Sequence, residues 1–336
     1  MADERKALVV GINEYQNVSP LVAAVPDAKE VAARLEFHAA GEGKRNYFVN
    51  LKVGDGKTAI TRAGLRAELR ALFEGFEGDA LFYFAGHGAL ESTGAYLVTS
   101  DGARDDWGVS MQEVVDIGLG SEARSITILL DCCHSGNLGS PAALQSGEAW
   151  RRPLSVLRRN MTVIAGSLDT QAVVEAGGHG LFTAALLDAL DGAAADILGE
   201  ITTSSLYAHI ERRFTPWQQR PVAKSYITTP TLVRKCPAKL SVEELLRLPK
   251  LFSRPDAMFP MEPDHDPKIE RPGEYEEAPD KAKIEVGELF KKYRDAGLLR
   301  PTKDGEQLYW TAQLRHTAEL TLVGREYWAL AKQKGL

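Results

Sequence analysis

Apolar residues along this chain follow two patterns that take turns. Short continuous runs come first: Ala7 to Ile12, then Asn46 to Val53, Ala80 to Ala85, Ile126 to Leu130 and Met161 to Ala165. Such runs, partly β-branched, suit parallel strands covered on both faces. Between them apolar positions recur every three or four residues. Ala28, Val31, Ala32 and Leu35 fall at i, i+3, i+4 and i+7, and Leu65, Leu69, Leu72 and Phe73 mark the next stripe. Each stripe predicts an amphipathic helix, the first with Pro26 at its N1 position. Further helices are expected over 181–190 and 204–213, and a last strand between Gln219 and Cys236. Strand, helix, strand, helix is the order of an α/β protein, here a parallel sheet of about six strands with helices on both faces.

Two of the predicted strands end in chemistry. Ala80 to Ala85 runs into Gly86-His87-Gly88, and Ile126 to Leu130 runs into Asp131-Cys132-Cys133-His134-Ser135-Gly136. The glycines around His87 predict a tight turn, and Ser135-Gly136-Asn137 predicts another. Open α/β sheets carry their sites beyond the carboxyl ends of the strands. A thiol and an imidazole arriving there form the couple that nucleophilic thiol catalysis requires.

Phe84-Ala85-Gly86-His87-Gly88 followed by Asp131-Cys132-Cys133-His134-Ser135-Gly136 resembles the caspase and metacaspase group of cysteine peptidases, over residues 5 to 235. The resemblance implies a caspase-like three-layer sandwich with a mostly parallel six-stranded sheet. It implies Cys133, directly before His-Ser-Gly, as nucleophile and His87 as its partner. The backbone N–H groups of Gly88 and Cys133 would then form the oxyanion hole. Asp27 and Asp131 stand where metacaspase-like enzymes carry carboxylates that select Arg or Lys before the cleaved bond, since a guanidinium pairs bidentately with carboxylate. For Asp27 the residues alone allow another reading, a carboxylate beside the positive end of a helix dipole. Cys132 is expected to pack as a small apolar residue, and His179, in a second Gly-His-Gly, to be structural. Zinc is not expected, because Cys132, Cys133 and His134 are adjacent and lack ligand spacing.

Charge and composition narrow the setting. The chain has 336 residues, a net charge of -6 and 26% charged residues, which argues against nonspecific nucleic-acid binding. Three cysteines with no framework spacing point to a reducing compartment. With no signal-like h-region and no run long enough to cross a bilayer, a cytoplasmic protein is expected. No cofactor is expected. Calcium, which some metacaspases need, would draw on Asp101, Asp105 and Asp106, but no compact Asp-x-Asp loop is present and a solvated acidic loop is the favoured reading.

The stretch 139–160 carries Arg151-Arg152 and Arg158-Arg159, which a basic-specific enzyme would cut in itself. Three divisions are expected: a peptidase domain over 1–237, a Pro- and acid-rich linker or arm over 238–282, and an interaction module over 283–336. In the last, a helix around Val286 to Tyr293, strands at Leu308-Tyr309-Trp310 and Ala318 to Leu322, and a helix over 324–334 are similar to a winged helix. Basic and acidic residues there are nearly balanced, so a regulatory protein partner is expected in preference to nucleic acid. The alternative from a different class is a silent caspase-like adaptor acting through that module.

Overall fold

The computed structural model describes residues 4–41, 43–91, 93–139, 157–166, 178–214, 221–266, 268–269 and 280–333, and for 133–139 the backbone alone. The chain divides into two compact units, Met1–Pro237 and Ala238–Leu336.

In the first unit β1 (Arg5–Ile12), β2 (Phe48–Gly54), β3 (Asp79–Glu91), β6 (Ser125–Gly139), β7 (Met161–Ala165) and β9 (Val222–Tyr226) form one sheet in the order β2-β1-β3-β6-β7-β9. All neighbours run parallel except β9, which is antiparallel to β7. Alternation along the strands fills two cores. Leu8, Val10, Ile12, Phe82, Phe84, Ile126 and Ile128 meet α2 (Arg62–Phe73) and α3 (Met111–Leu119) on one face. Ala7, Val9, Leu81, Tyr83 and Leu129 meet α1 (Ala24–Glu36), α4 (Leu181–Asp188) and α5 (Thr203–Arg212) on the other. The result is the expected three-layer α/β sandwich. Phe82 and Phe84 are fully buried at its centre, where truncation of either to Ala costs about 3–5 kcal/mol.

Several local expectations change. Pro26 is the third residue of α1 rather than the first, still within the turn whose N–H groups lack partners. Neither Gly86-His87-Gly88 nor Ser135-Gly136-Asn137 turns the chain. β3 continues to Glu91 and β6 to Gly139, because the parallel ladder between them runs on through Ala85/Asp131, Gly86/Cys132, His87/Cys133 and Gly88/His134. Beyond the ladder β3 folds back into β4 (Gly94–Ala103) and β5 (Asp106–Ser110). What reads as an acidic loop is thus a hairpin, turned at Asp105 with φ of 71°. Asp101 accepts from the Arg62 N–H at the start of α2, and Asp106 pairs with the Arg62 guanidinium. β8 (Glu200–Thr202) and β10 (Leu232–Lys235) make a separate two-stranded ribbon.

The second unit corrects two readings. Residues 238–282 are not only a linker: Leu240, Leu245, Leu248, Phe252 and Met261 are buried. Phe252 stacks on Phe290 with ring centres 5.8 Å apart, and β11 (Met258–Pro260) pairs with β13 (Thr317–Leu320). The apolar residues set between the prolines supply this anchoring. Leu308-Tyr309-Trp310 opens a helix, Leu308–Gln313, not a strand. A three-residue apolar run carries no period, and the helix-compatible Thr311-Ala312-Gln313 decides it. The order from residue 281 is helix, strand, helix, strand, helix, with a β11-β13-β12 sheet in which β12 is Leu299–Pro301. That order departs from the winged-helix expectation of two strands around a turn. Among the described residues no helix is long and apolar enough to cross a membrane.

Candidate active site

The site is built where β1 ends and inside β3 and β6, several residues before those two strands finish. β1 leads into a loop whose path is held by backbone bonds. Asn13 N–H donates to the Gly54 carbonyl at 2.9 Å, the Asn13 carbonyl accepts from Leu21 N–H at 2.8 Å, and Gln16 N–H donates to the Ser100 carbonyl at 2.9 Å. The Asn13 side chain accepts from Val25 N–H at 3.0 Å, satisfying one of the otherwise unpaired donors at the start of α1. This loop delivers Tyr15 and Ser19 to His87 in β3.

His87 is 2% exposed. Its Nε2 lies 2.8 Å from the Ser19 carbonyl oxygen. A carbonyl only accepts, so Nε2 carries the proton and the neutral ring presents Nδ1 as its basic atom. Nδ1 is buried and has no hydrogen-bond partner among the described residues. Burial pushes the imidazole below its ordinary pKa, outweighing the Ser19 bond, which acts the other way. The Tyr15 ring packs on the imidazole at 4.9 Å between centres. Its hydroxyl donates to the Ile12 carbonyl at 3.0 Å and accepts from the His87 N–H at 2.9 Å. Gly86 makes room for this clamp, since a Cβ there would stand 2.7 Å from the Tyr15 oxygen. The glycine of this motif therefore serves close approach, not a turn.

Across the ladder, His87 and Cys133 are partners in register, one rung after Gly86 and Cys132. Cys132 is buried in the α2/α3 core, as its expected packing role requires. Cys132 and Cys236 are not in disulfides.

The carboxylates form a second cluster on the α1/α4 face. Asp131 is buried, and its Oδ2 accepts from the Thr183 hydroxyl at the start of α4. Thr183 has one proton to give, so the Tyr83 hydroxyl, 2.6 Å away, donates to Thr183 in turn. Asp27, 2% exposed on α1, accepts from His179 Nδ1 at 2.5 Å and from Gly180 N–H at 3.4 Å. Burial, and then the Asp27 charge, push the Asp131 carboxyl up to about 6 despite the Thr183 bond. Burial likewise raises Asp27 above the ordinary carboxylate range. The sequence marks His179 as structural and gives Ser19, Tyr15 and Thr183 no role in the site. The repeated Gly-His-Gly is the one signal that could have drawn His179 in. Ser19 acts through its main chain, which leaves no mark on residue type.

Of the basic pairs, Arg158 is half-buried and donates to the Ser121 and Ala123 carbonyls, while Arg159 is exposed. Arg151 and Arg152 lie outside the described residues. Among the described residues no three His, Cys, Asp or Glu side chains gather as a metal-holding group.

The geometry can be set beside known proteins. Residues 4–240 match the family model described as caspase domain. A crystal structure of protein GSU0716 from Geobacter sulfurreducens is similar at 21% identity and a TM-score of 0.49, covering 70% of this chain and 98% of that one. No curated protein matches. The matched segment contains both motif-bearing strands and both buried carboxylates, and with more than half of its length inside that model the chain belongs to the caspase domain family of cysteine peptidases.

Proposed function

We propose that this protein is a cysteine endopeptidase that cuts protein chains after Arg or Lys. The observation that carries the proposal is the β3/β6 rung on which His87 and Cys133 are paired, together with a buried imidazole whose Nδ1 is left unengaged among the described residues. In this reading the Cys133 thiolate attacks the scissile carbonyl carbon. Nδ1 of His87 takes the thiol proton and passes it to the leaving amine, while Nε2–H stays on the Ser19 carbonyl. The backbone N–H groups of Gly88 and Cys133 receive the developing oxyanion. Water, deprotonated by the same imidazole, then resolves the thioester.

Asp27 and Asp131 are the proposed walls that choose a basic side chain. Burial holds both carboxyls above their ordinary pKa. Among the described residues Asp131 has only the neutral Thr183 hydroxyl as a side-chain partner and Asp27 has the His179 imidazole. An arriving guanidinium or ammonium brings a full positive charge to them. An acidic side chain meets repulsion there. Self-processing is proposed at Arg151, Arg152 and Arg159, with Arg158 the poorest site because its guanidinium is already held. The second unit is proposed to dock a regulatory protein, and the protein is proposed to work in the reducing cytoplasm without a required metal.

The test is turnover of fluorogenic peptides ending in Arg, Lys or Asp by the full chain and by Cys133→Ala, with intact-mass analysis of both proteins over time. Cleavage of the Arg and Lys peptides alone, lost in the variant, supports the reading. Preference for Asp removes the basic pocket. An inert wild type with unchanged mass leaves the silent adaptor.

A further inference from the structure

His179 stands in an unusual place for a residue outside the thiol–imidazole couple. It precedes α4 in Gly178-His179-Gly180, and its side chain is 23% exposed while the Asp27 side chain behind it is 3% exposed. The imidazole therefore lies between Asp27 and solvent. The two oxygens of Asp27 are engaged by successive residues of one segment, Oδ1 by His179 Nδ1 at 2.5 Å and Oδ2 by the Gly180 N–H at 3.4 Å. The same segment reaches Asp131: a Cβ on Gly180 would stand 3.2 Å from Asp131 Oδ2, and Thr183 donates to that oxygen. Glu30, one turn along α1, adds a further negative charge near Asp27.

A short charge-assisted bond to a buried carboxylate is the contact that a basic substrate side chain would make. The bond from Gly180 is long and leaves Oδ2 with a lone pair to spare. The bond from His179 is short and occupies the favourable approach to Oδ1. A guanidinium brings more donors and a permanent charge, and an ammonium brings three donors, so either outcompetes an imidazole for this position. A neutral or acidic side chain cannot.

Resting on the reading of Asp27 and Asp131 as pocket walls, we propose that His179 is a specificity-determining residue, an internal occupant of Asp27 that only a cationic substrate side chain displaces. It keeps a buried carboxylate partnered when no substrate is bound, and it sets the threshold a side chain must exceed to enter.

The experiment uses full-length Cys133→Ala protein with ¹⁵N-labelled histidine, titrated with N-acetyl-L-argininamide and, in parallel, with its uncharged citrulline counterpart. The His179 imidazole signal is expected to shift with the argininamide alone, and His179→Ala on the same background is expected to bind it about tenfold more tightly. In otherwise wild-type protein, His179→Ala should lower KM for an Arg peptide by a similar factor with kcat unchanged. Argininamide binding without movement of the His179 signal overturns the inference and leaves the basic pocket standing. So does a raised KM in the variant, which would make His179 a support for Asp27 rather than its competitor. Absence of argininamide binding to either protein removes the basic pocket, and the inference with it.

Discussion

The carbonyl oxygen of Ser19 stands 2.8 Å from Nε2 of His87 and thereby decides which ring nitrogen holds the proton. The residue that performs this task is fixed not by its side chain but by a loop tied to β2 and β4 through Asn13 and Gln16. The imidazole is thus oriented before any substrate arrives, with its proton on the Ser19 carbonyl and Nδ1 without a hydrogen-bond partner among the described residues.

Burial of His87 has a consequence for stability. Its pKa is lowered in the folded protein, so the unfolded chain takes up the proton first on acidification. The neutral ring's contribution is present above the unfolded value of about 6.5. It is lost as pH falls from there through the folded value. Denaturant titrations of wild type and His87→Gln between pH 7.5 and 5 are expected to show the wild type losing more stability.

Asp131 works in the opposite direction. Its carboxyl is raised to about 6 by burial and the Asp27 charge, so its stabilising effect is present below the unfolded value and is lost as pH rises through about 6. Asp131→Asn keeps an acceptor for Thr183 and removes the charge. Relative to wild type it is expected to gain on the order of 2–3 kcal/mol at pH 8 and nothing at pH 4. Binding of basic peptides should weaken in the same variant, read as a higher KM.

Tyr15→Phe keeps the ring against His87 and deletes the hydroxyl that accepts the His87 N–H. A buried N–H left without its acceptor costs about 1–3 kcal/mol. Because that N–H belongs to the imidazole-bearing residue, kcat is expected to fall about tenfold with KM unchanged. A purely structural tyrosine would lower the melting temperature and leave the kinetic constants alone.

Much of this architecture is legible in the order of residues, and the illegible parts have definite causes. β1, β3 and β6 read clearly because both of their faces are buried and the apolar run is unbroken. The ends of β3 and β6 do not, since glycine beside histidine looks like a turn unless one knows that a parallel partner continues alongside. His87, Cys133, Asp27 and Asp131 are visible by type and position. The groups that hold them are hidden by distance or by chemistry: Thr183 lies 52 residues from Asp131, His179 lies 152 from Asp27, and Ser19 acts through its main chain. In the second unit the buried Phe252 and the β11/β13 pairing are masked by the prolines around them.

The account's central claim is that the β3/β6 ladder puts a reactive sulfur within reach of His87. The most direct measurement is mass-spectrometric mapping of the adduct left by an arginyl chloromethyl ketone, timed in wild type, Cys133→Ala and His87→Ala. The account predicts a single adduct on Cys133, absent in Cys133→Ala and slowed on the order of a hundredfold in His87→Ala. An adduct on Cys132 or Cys236, or labelling of Cys133 at an unchanged rate without His87, would contradict it.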